Sequence, residues 1–75
     1  MRSICIVGAV EYTKKEDETV YIIHDDLTMT RNNFYRLIDS IYYSDEIYVA
    51  SDSKNKNLVK EVAKTFNKGD KVYER

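Results

Sequence analysis

The chain has no proline, two glycines, one histidine and one cysteine. Cys5 is alone and forms no internal disulfide, and with no Cys/His cluster there is no structural metal to brace the fold. Cys5 reads as a small buried apolar residue, with nothing beside it in sequence to activate its thiolate. Charge of one sign is also missing. Twelve basic residues against thirteen acidic ones leave a net charge of −1, which argues against nonspecific nucleic-acid binding. The longest apolar run, Ile4 to Val10, is far too short to span a bilayer, and the N-terminus lacks the regions of a signal peptide. A soluble cytoplasmic protein without membrane contact is expected. There is no long linker, low-complexity tract or internal repeat, so residues 1–75 read as a single α/β domain. A domain of this size buries only about 60% of the surface of its unfolded chain. With so thin a core, a homo-oligomer is expected.

Ile4 to Val10, ICIVGAV, is apolar on both faces and β-branched, which suits a central strand, with Gly8 permitting a close backbone approach. Glu11 to Thr19 is polar and too short for a crossover helix, so a hairpin into a second strand, Val20 to His24, is the simpler reading. Thr28 or Thr30 caps the next helix, where Phe34, Leu37, Ile38, Ile41 and Tyr42 form one apolar stripe. That helix runs into Asp45. Ile47 to Ala50 reads as strand three. In the last helix Leu58, Val59, Val62, Ala63 and Phe66 face inward while Lys60 and Lys64 point away. Asn67, Lys68 and Gly69 end it, with Gly69 suited to the left-handed C′ position. Lys71 to Glu74 closes the sheet as a charged edge strand. The expected architecture is a small mixed sheet of about four strands with two helices in the order β-β-α-β-α-β. Which of the first two strands runs against the rest is left open.

Ser44 to Tyr73 is the most informative stretch, since it reads as a β-α-β crossover. Such a unit puts the loop Ser51 to Asn57 at the carboxyl end of the sheet beside a helix N-terminus, where open α/β folds bind ligands. Among the seven tyrosines, strand alternation lets Tyr21, Tyr48 and Tyr73 share a sheet face. Such a face covers the sheet or seals a homodimer, or else it stacks a planar ligand. His24, Asp25 and Asp26 invite an acid-base or metal reading. Neighbours on an extended strand point to opposite faces, however, so a polar strand end with a turn-setting aspartate is preferred.

Ile4 to Tyr12, ICIVGAVEY, with SDEIYVAS and KEVAKTFNKGDKVY resembles a reduced nucleoside 2-deoxyribosyltransferase-like or SLOG-type Rossmannoid protein over about half the chain. The resemblance implies an N-terminal strand ending near a small residue, a ligand loop beginning at Ser51, Asp52 and Ser53, and a helix glutamate at Glu61. Two departures stand out. The loop contains no glycine, and Glu61 lies on the flank away from much of the apolar stripe, so a solvated Glu61 near Lys64 is preferred to a catalytic one. Size and the Lys, Asn, Ile and Tyr bias further resemble small phage or mobile-element proteins.

These readings converge on a non-catalytic binding protein for a nucleotide or nucleotide-derived signal, in the phage case one that sequesters a defence signal. Ser51, Ser53 and the backbone N–H groups before the last helix would hold phosphate or ribose, aided by Lys54 or Lys56, and a base would stack on Tyr48 or Tyr21. No cofactor or metal is expected. The rivals are an inhibitor that binds a host protein through the tyrosine face or acidic segment, and a minimal nucleoside-processing enzyme using Glu61.

Overall fold

The first two strands, β1 (Arg2–Val7) and β2 (Glu18–Ile23), lie side by side and parallel, with Ile4 opposite Val20 and Ile6 opposite Ile22. This arrangement belongs to a computed structural model that describes residues 1–25 and 30–75. It overturns the hairpin and with it the mixed sheet. After β2 come α1 (Arg31–Tyr43), β3 (Glu46–Val49), α2 (Lys56–Thr65), a 3₁₀ turn Gly69–Lys71 and β4 (Val72–Glu74). The expected order β-β-α-β-α-β is present, in one wholly parallel sheet arranged β2-β1-β3-β4. The reason is reach. A six-residue strand is about 20 Å long, whereas the ten residues 8–17 can span about 33 Å when extended, enough for a parallel return without a helix.

Residues in register on parallel strands project to the same face. Cys5, Val7, Ile23, Ile47 and Val49 project to one face and pack with Leu37 and Ile41 of α1 and with Val59, Val62 and Ala63 of α2. That is the core. Burial within it pushes the Cys5 thiol up to about 12, in keeping with an inert side chain. Ile4, Ile6, Val20, Ile22, Tyr48 and Tyr73 project to the opposite face, which carries no helix. There residues 8–17 form a strap, with the Tyr12 ring 5.6 Å from that of Tyr48. The strap moves from β1 to one side across one face, and α1 moves to the other side across the other face. Both crossovers therefore have the same hand, as the chirality of β-α-β connections requires.

Local signals set the helix ends. Thr30 caps α1 by accepting from the Asn33 N–H at 3.2 Å. Thr28, the other candidate, lies outside the described residues. The helix stops at Tyr43 because Ser44 turns extended, its hydroxyl donating to the Ser40 carbonyl at 2.5 Å. The Lys68 ammonium then donates to the carbonyls of Ile41 (3.1 Å), Tyr42 and Ser44 (2.8 Å), placing a cation at the negative end of the helix dipole. Tyr42, expected in the apolar stripe, is 53% exposed and packs its ring on Phe66 at the stripe's margin. Lys60 and Lys64 point to solvent as expected.

The end of α2 departs from expectation by two residues. Because the helix finishes at Thr65, the C′ position falls on Asn67, which takes φ 59°, while Gly69 opens the 3₁₀ turn instead. The Lys68 N–H donates to the Ala63 carbonyl (2.7 Å) and the Asn67 N–H to the Lys64 carbonyl (3.0 Å), completing a Schellman motif. Among the described residues no helix is long and apolar enough to cross a membrane. Asn67→Ala should cost about 1 kcal/mol in urea unfolding by putting a β-carbon in the left-handed region, whereas Asn67→Gly should match or exceed the parent stability.

Candidate functional site

Two places need comparison: the carboxyl end of the sheet, which the sequence singles out, and the helix-free face. At the carboxyl end Gly8 ends β1 with φ 85°. A β-carbon there would lie 2.6 Å from Asp25 Oδ2 and 3.0 Å from the Ala50 β-carbon, so the close approach expected of Gly8 is real and glycine is required. Asp25, just past β2, reaches across this point. Its Oδ1 accepts from the Ser53 hydroxyl at 2.7 Å and from the Asn55 amide at 3.3 Å. Ser53 is buried, and its oxygen also accepts from the Asn55 backbone N–H at 3.1 Å. Asp25 thus ties the end of β2 to the start of α2, a long-range role that the turn-setting reading of Asp25 or Asp26 does not include. Asp26 lies outside the described residues.

This cluster changes what the loop Ser51 to Asn57 offers. The Ser53 hydroxyl is engaged with a carboxylate, and that carboxylate already stands at the α2 N-terminus, where the helix dipole favours an anion. Ser51, Asp52 and Lys54 are exposed beside it. The Ser51 N–H donates to the Arg75 carbonyl (2.9 Å), and its own carbonyl accepts from Lys56 Nζ (3.2 Å), so the loop is held at both ends.

The tyrosines divide between faces. Tyr21 is in register with Cys5 on the helix side, and Tyr48 with Ile6 on the open side, so the shared face expected for Tyr21, Tyr48 and Tyr73 holds only for the last two. The odd-even count within each strand is legible in the sequence, but its phase between strands depends on register. Tyr48 is flanked by Tyr73 at 5.4 Å and 28° and by Tyr12, with the Arg75 guanidinium 5.1 Å above its ring. Tyr12, which the sequence reading missed, is the strap's anchor. Its hydroxyl donates to Glu18 Oε1 at 2.7 Å, and the same oxygen accepts from the Lys15 N–H at 2.9 Å. Glu18 is only 5% exposed, and its Oε2 is buried without a partner.

The strap leaves a groove of about 610 Å³ between itself and β2. Ile6, Val20 and Ile22 form its floor, Val10 and Tyr12 its strap wall, and Glu11, Lys14 and His24 its polar margin. The groove is open along one side, and its lining is mostly apolar with a few ionisable groups, a composition that small-molecule sites share. A β-α-β crossover would have filled the space with a helix. Glu61 is exposed on α2, across the sheet from this groove. Among the described residues no group of three or more His, Cys, Asp and Glu side chains is placed to hold a metal ion. No protein-family model matches the chain, and comparison with curated proteins and with solved structures finds no match.

The anchor is pH-sensitive at both ends of the scale. The Lys15 N–H and then the Tyr12 hydroxyl hold the Glu18 carboxyl below its ordinary value, while the bond to Glu18 raises the Tyr12 phenol from 10.0 to about 12. Glu18 therefore contributes stability that is present above its ordinary 4.5 and lost as pH falls through its lower folded value. Tyr12 contributes stability that is present below 10 and lost as pH rises toward 12. Urea midpoints across pH should show both limbs. Tyr12→Phe should shrink the alkaline limb to the share of Tyr48, which is also raised, and Glu18→Gln should shrink the acid limb to the share of Glu74, which is also lowered; a parental pH profile in both variants would show that the anchor does not hold the strap.

Proposed function

We propose that the protein is a non-catalytic, soluble cytoplasmic binding protein for a nucleotide or nucleotide-derived small molecule, and that the ligand lies in the groove on the open face. The carrying observation is the groove itself, a concave apolar surface of about 610 Å³ on a sheet face that no helix covers. A nucleobase suits a site with a flat β-sheet floor and an aromatic wall, because every base offers a π-face and an apolar surface to bury. Val20 and Ile22 would lie under the base, Tyr12 at its edge, and Lys14 near any attached phosphate, with His24 as the second polar contact. Glu11 sets a limit on the charge tolerated there, which favours a mononucleotide or cyclic form over a triphosphate.

Binding without turnover is supported by the position of Glu61, exposed on the helix side of the sheet and so remote from the ligand. The loop Ser51 to Asn57 has a lesser role in this reading, since Asp25 supplies the negative charge at the start of α2. Sequestration of a signalling nucleotide is the corresponding biological role.

Native mass spectrometry with a nucleotide mixture, followed by NMR titration with the retained compound, tests the reading. A ligand should be retained and released with unchanged mass. Its shifts should centre on Ile6, Val10, Ile22 and His24. Ala9→Trp, which fills the groove from the strap, should weaken binding about tenfold or more, and Ser51→Ala with Lys54→Ala should leave it within about twofold. Retention of no compound, or shifts and losses confined to residues 51–57, would reject the groove.

A further inference from the structure

The two edges of the sheet are built differently. β4 is three residues long, and its Glu74 is paired with Lys60, a short charged edge that gives another strand little to add to. β2 is six residues long, reads ETVYII with neither lysine nor proline, and among the described residues pairs only with β1. The Gly8 N–H donates to the Ile23 carbonyl at 2.9 Å, so Ile23 directs its backbone polar groups at β1. By the alternation of a strand Tyr21 does the same, and Val20 and Ile22 direct theirs outward. Ile22 is also 54% exposed. This is an unblunted edge.

A recess of about 380 Å³ runs along it on the helix side, lined by Val20 to Ile23 and by Arg36, Asp39 and Ser40 of α1. Arg36 and Asp39 are three residues apart and share one flank of the helix. A cation and an anion in that arrangement complement a copy of themselves once one helix is turned end for end. The net charge of −1 puts little long-range repulsion between two copies.

We propose that a second copy of this chain pairs along β2 about a twofold axis, the two β2 strands antiparallel and centred on Tyr21. This register sets Val20 of each chain opposite Ile22 of the other. Those are the residues whose polar groups point outward, so both pairs take the hydrogen-bonded positions of an antiparallel ladder. On the helix side the two α1 helices run antiparallel, and Arg36 of each faces Asp39 of its partner, the reciprocal contact of an isologous interface. On the open side the paired valines and isoleucines cover each other, and the groove of one chain continues into that of the other. The dimer stands whether or not the groove takes a nucleotide.

Sedimentation equilibrium of the full chain, with no ligand added, tests the proposal. The parent should sediment at twice the chain mass of 8.9 kDa. Arg36→Asp leaves two anions on the flank and Asp39→Arg two cations, so each variant alone should associate about tenfold or more weakly. An equimolar mixture of the two should regain the dimer, because the charges then match across the axis. Both sites are exposed on a helix, and circular dichroism should show the parental fold. The Val20 and Ile22 amides should exchange more slowly in the parent than in Ile22→Lys, which blunts the edge with an inserted charge. A parent that sediments as a monomer at every concentration overturns the proposal. So does a dimer indifferent to both charge reversals, or a mixture that fails to restore it.

Discussion

Ten residues coiled as a helix would advance about 15 Å, less than the roughly 20 Å of the six-residue strand they must run beside, so the return from β1 to β2 has to be extended. An extended chain differs from a helix in two ways that matter here. It bonds few of its own backbone groups, and it is too narrow to cover a sheet face. The first difference demands side-chain anchors. Tyr12 meets the demand by lying against Tyr48 and donating to Glu18, and the Lys15 N–H closes on the same carboxylate. The second leaves open space on either side of the strap. One recess lies toward β2, and a smaller one of about 200 Å³ lies toward β3 beside Tyr48 and Arg75.

The anchor is costly in its own terms. Glu18 is a carboxylate at 5% exposure, with one oxygen bonded twice and the other without a protein partner, and taking a charged acceptor out of water in that way is unfavourable. What offsets it is the apolar surface that the strap covers, since Ile4 and Ile6 on the open face are as well buried as the helix-side core. If the strap lifted, both isoleucines would be exposed on a sheet whose other face alone carries helices. Strap, anchor and open-face burial therefore stand or fall together, and the hydrogen bonds at Glu18 stabilise more than the loop they close.

Much of the fold is legible in the sequence because its signals are local. The stripe of Leu37, Ile38 and Ile41, the Thr30 cap and the inward set of Val59, Val62 and Ala63 each depend on residues within two turns of one another. Strand direction is different. Whether β2 runs with or against β1 depends on how far an extended strap can reach, and the polar run from Glu11 to Thr19 looks the same in a hairpin. The face of Tyr21 has the same origin, since pairing with Cys5 rather than Ile6 is a matter of register across two strands. Asn67 and Gly69 both lie where a left-handed residue is needed, and the choice turns on a helix end that side-chain pattern defines only to within a residue or two. The Asp25–Ser53 bond spans twenty-eight positions and leaves no local trace.

The location of the proposed site follows from the same asymmetry. In open α/β sheets ligands gather at the carboxyl ends of strands, where successive connections leave for opposite faces. In this chain that point lies between β1 and β3, since the strap leaves for one face and α2 for the other. The crevice there is closed by Gly8 against Ala50 and roofed by Asp25, which holds Ser53 and Asn55. A carboxylate in the place where a phosphate would sit repels one, and the serine that would greet it is already bonded. The room that a crossover helix normally fills is instead free on the open face, next to the strand whose outer edge is also uncovered. A narrow strap in the place of a crossover helix thus accounts together for the groove beside it and the exposed margin of β2.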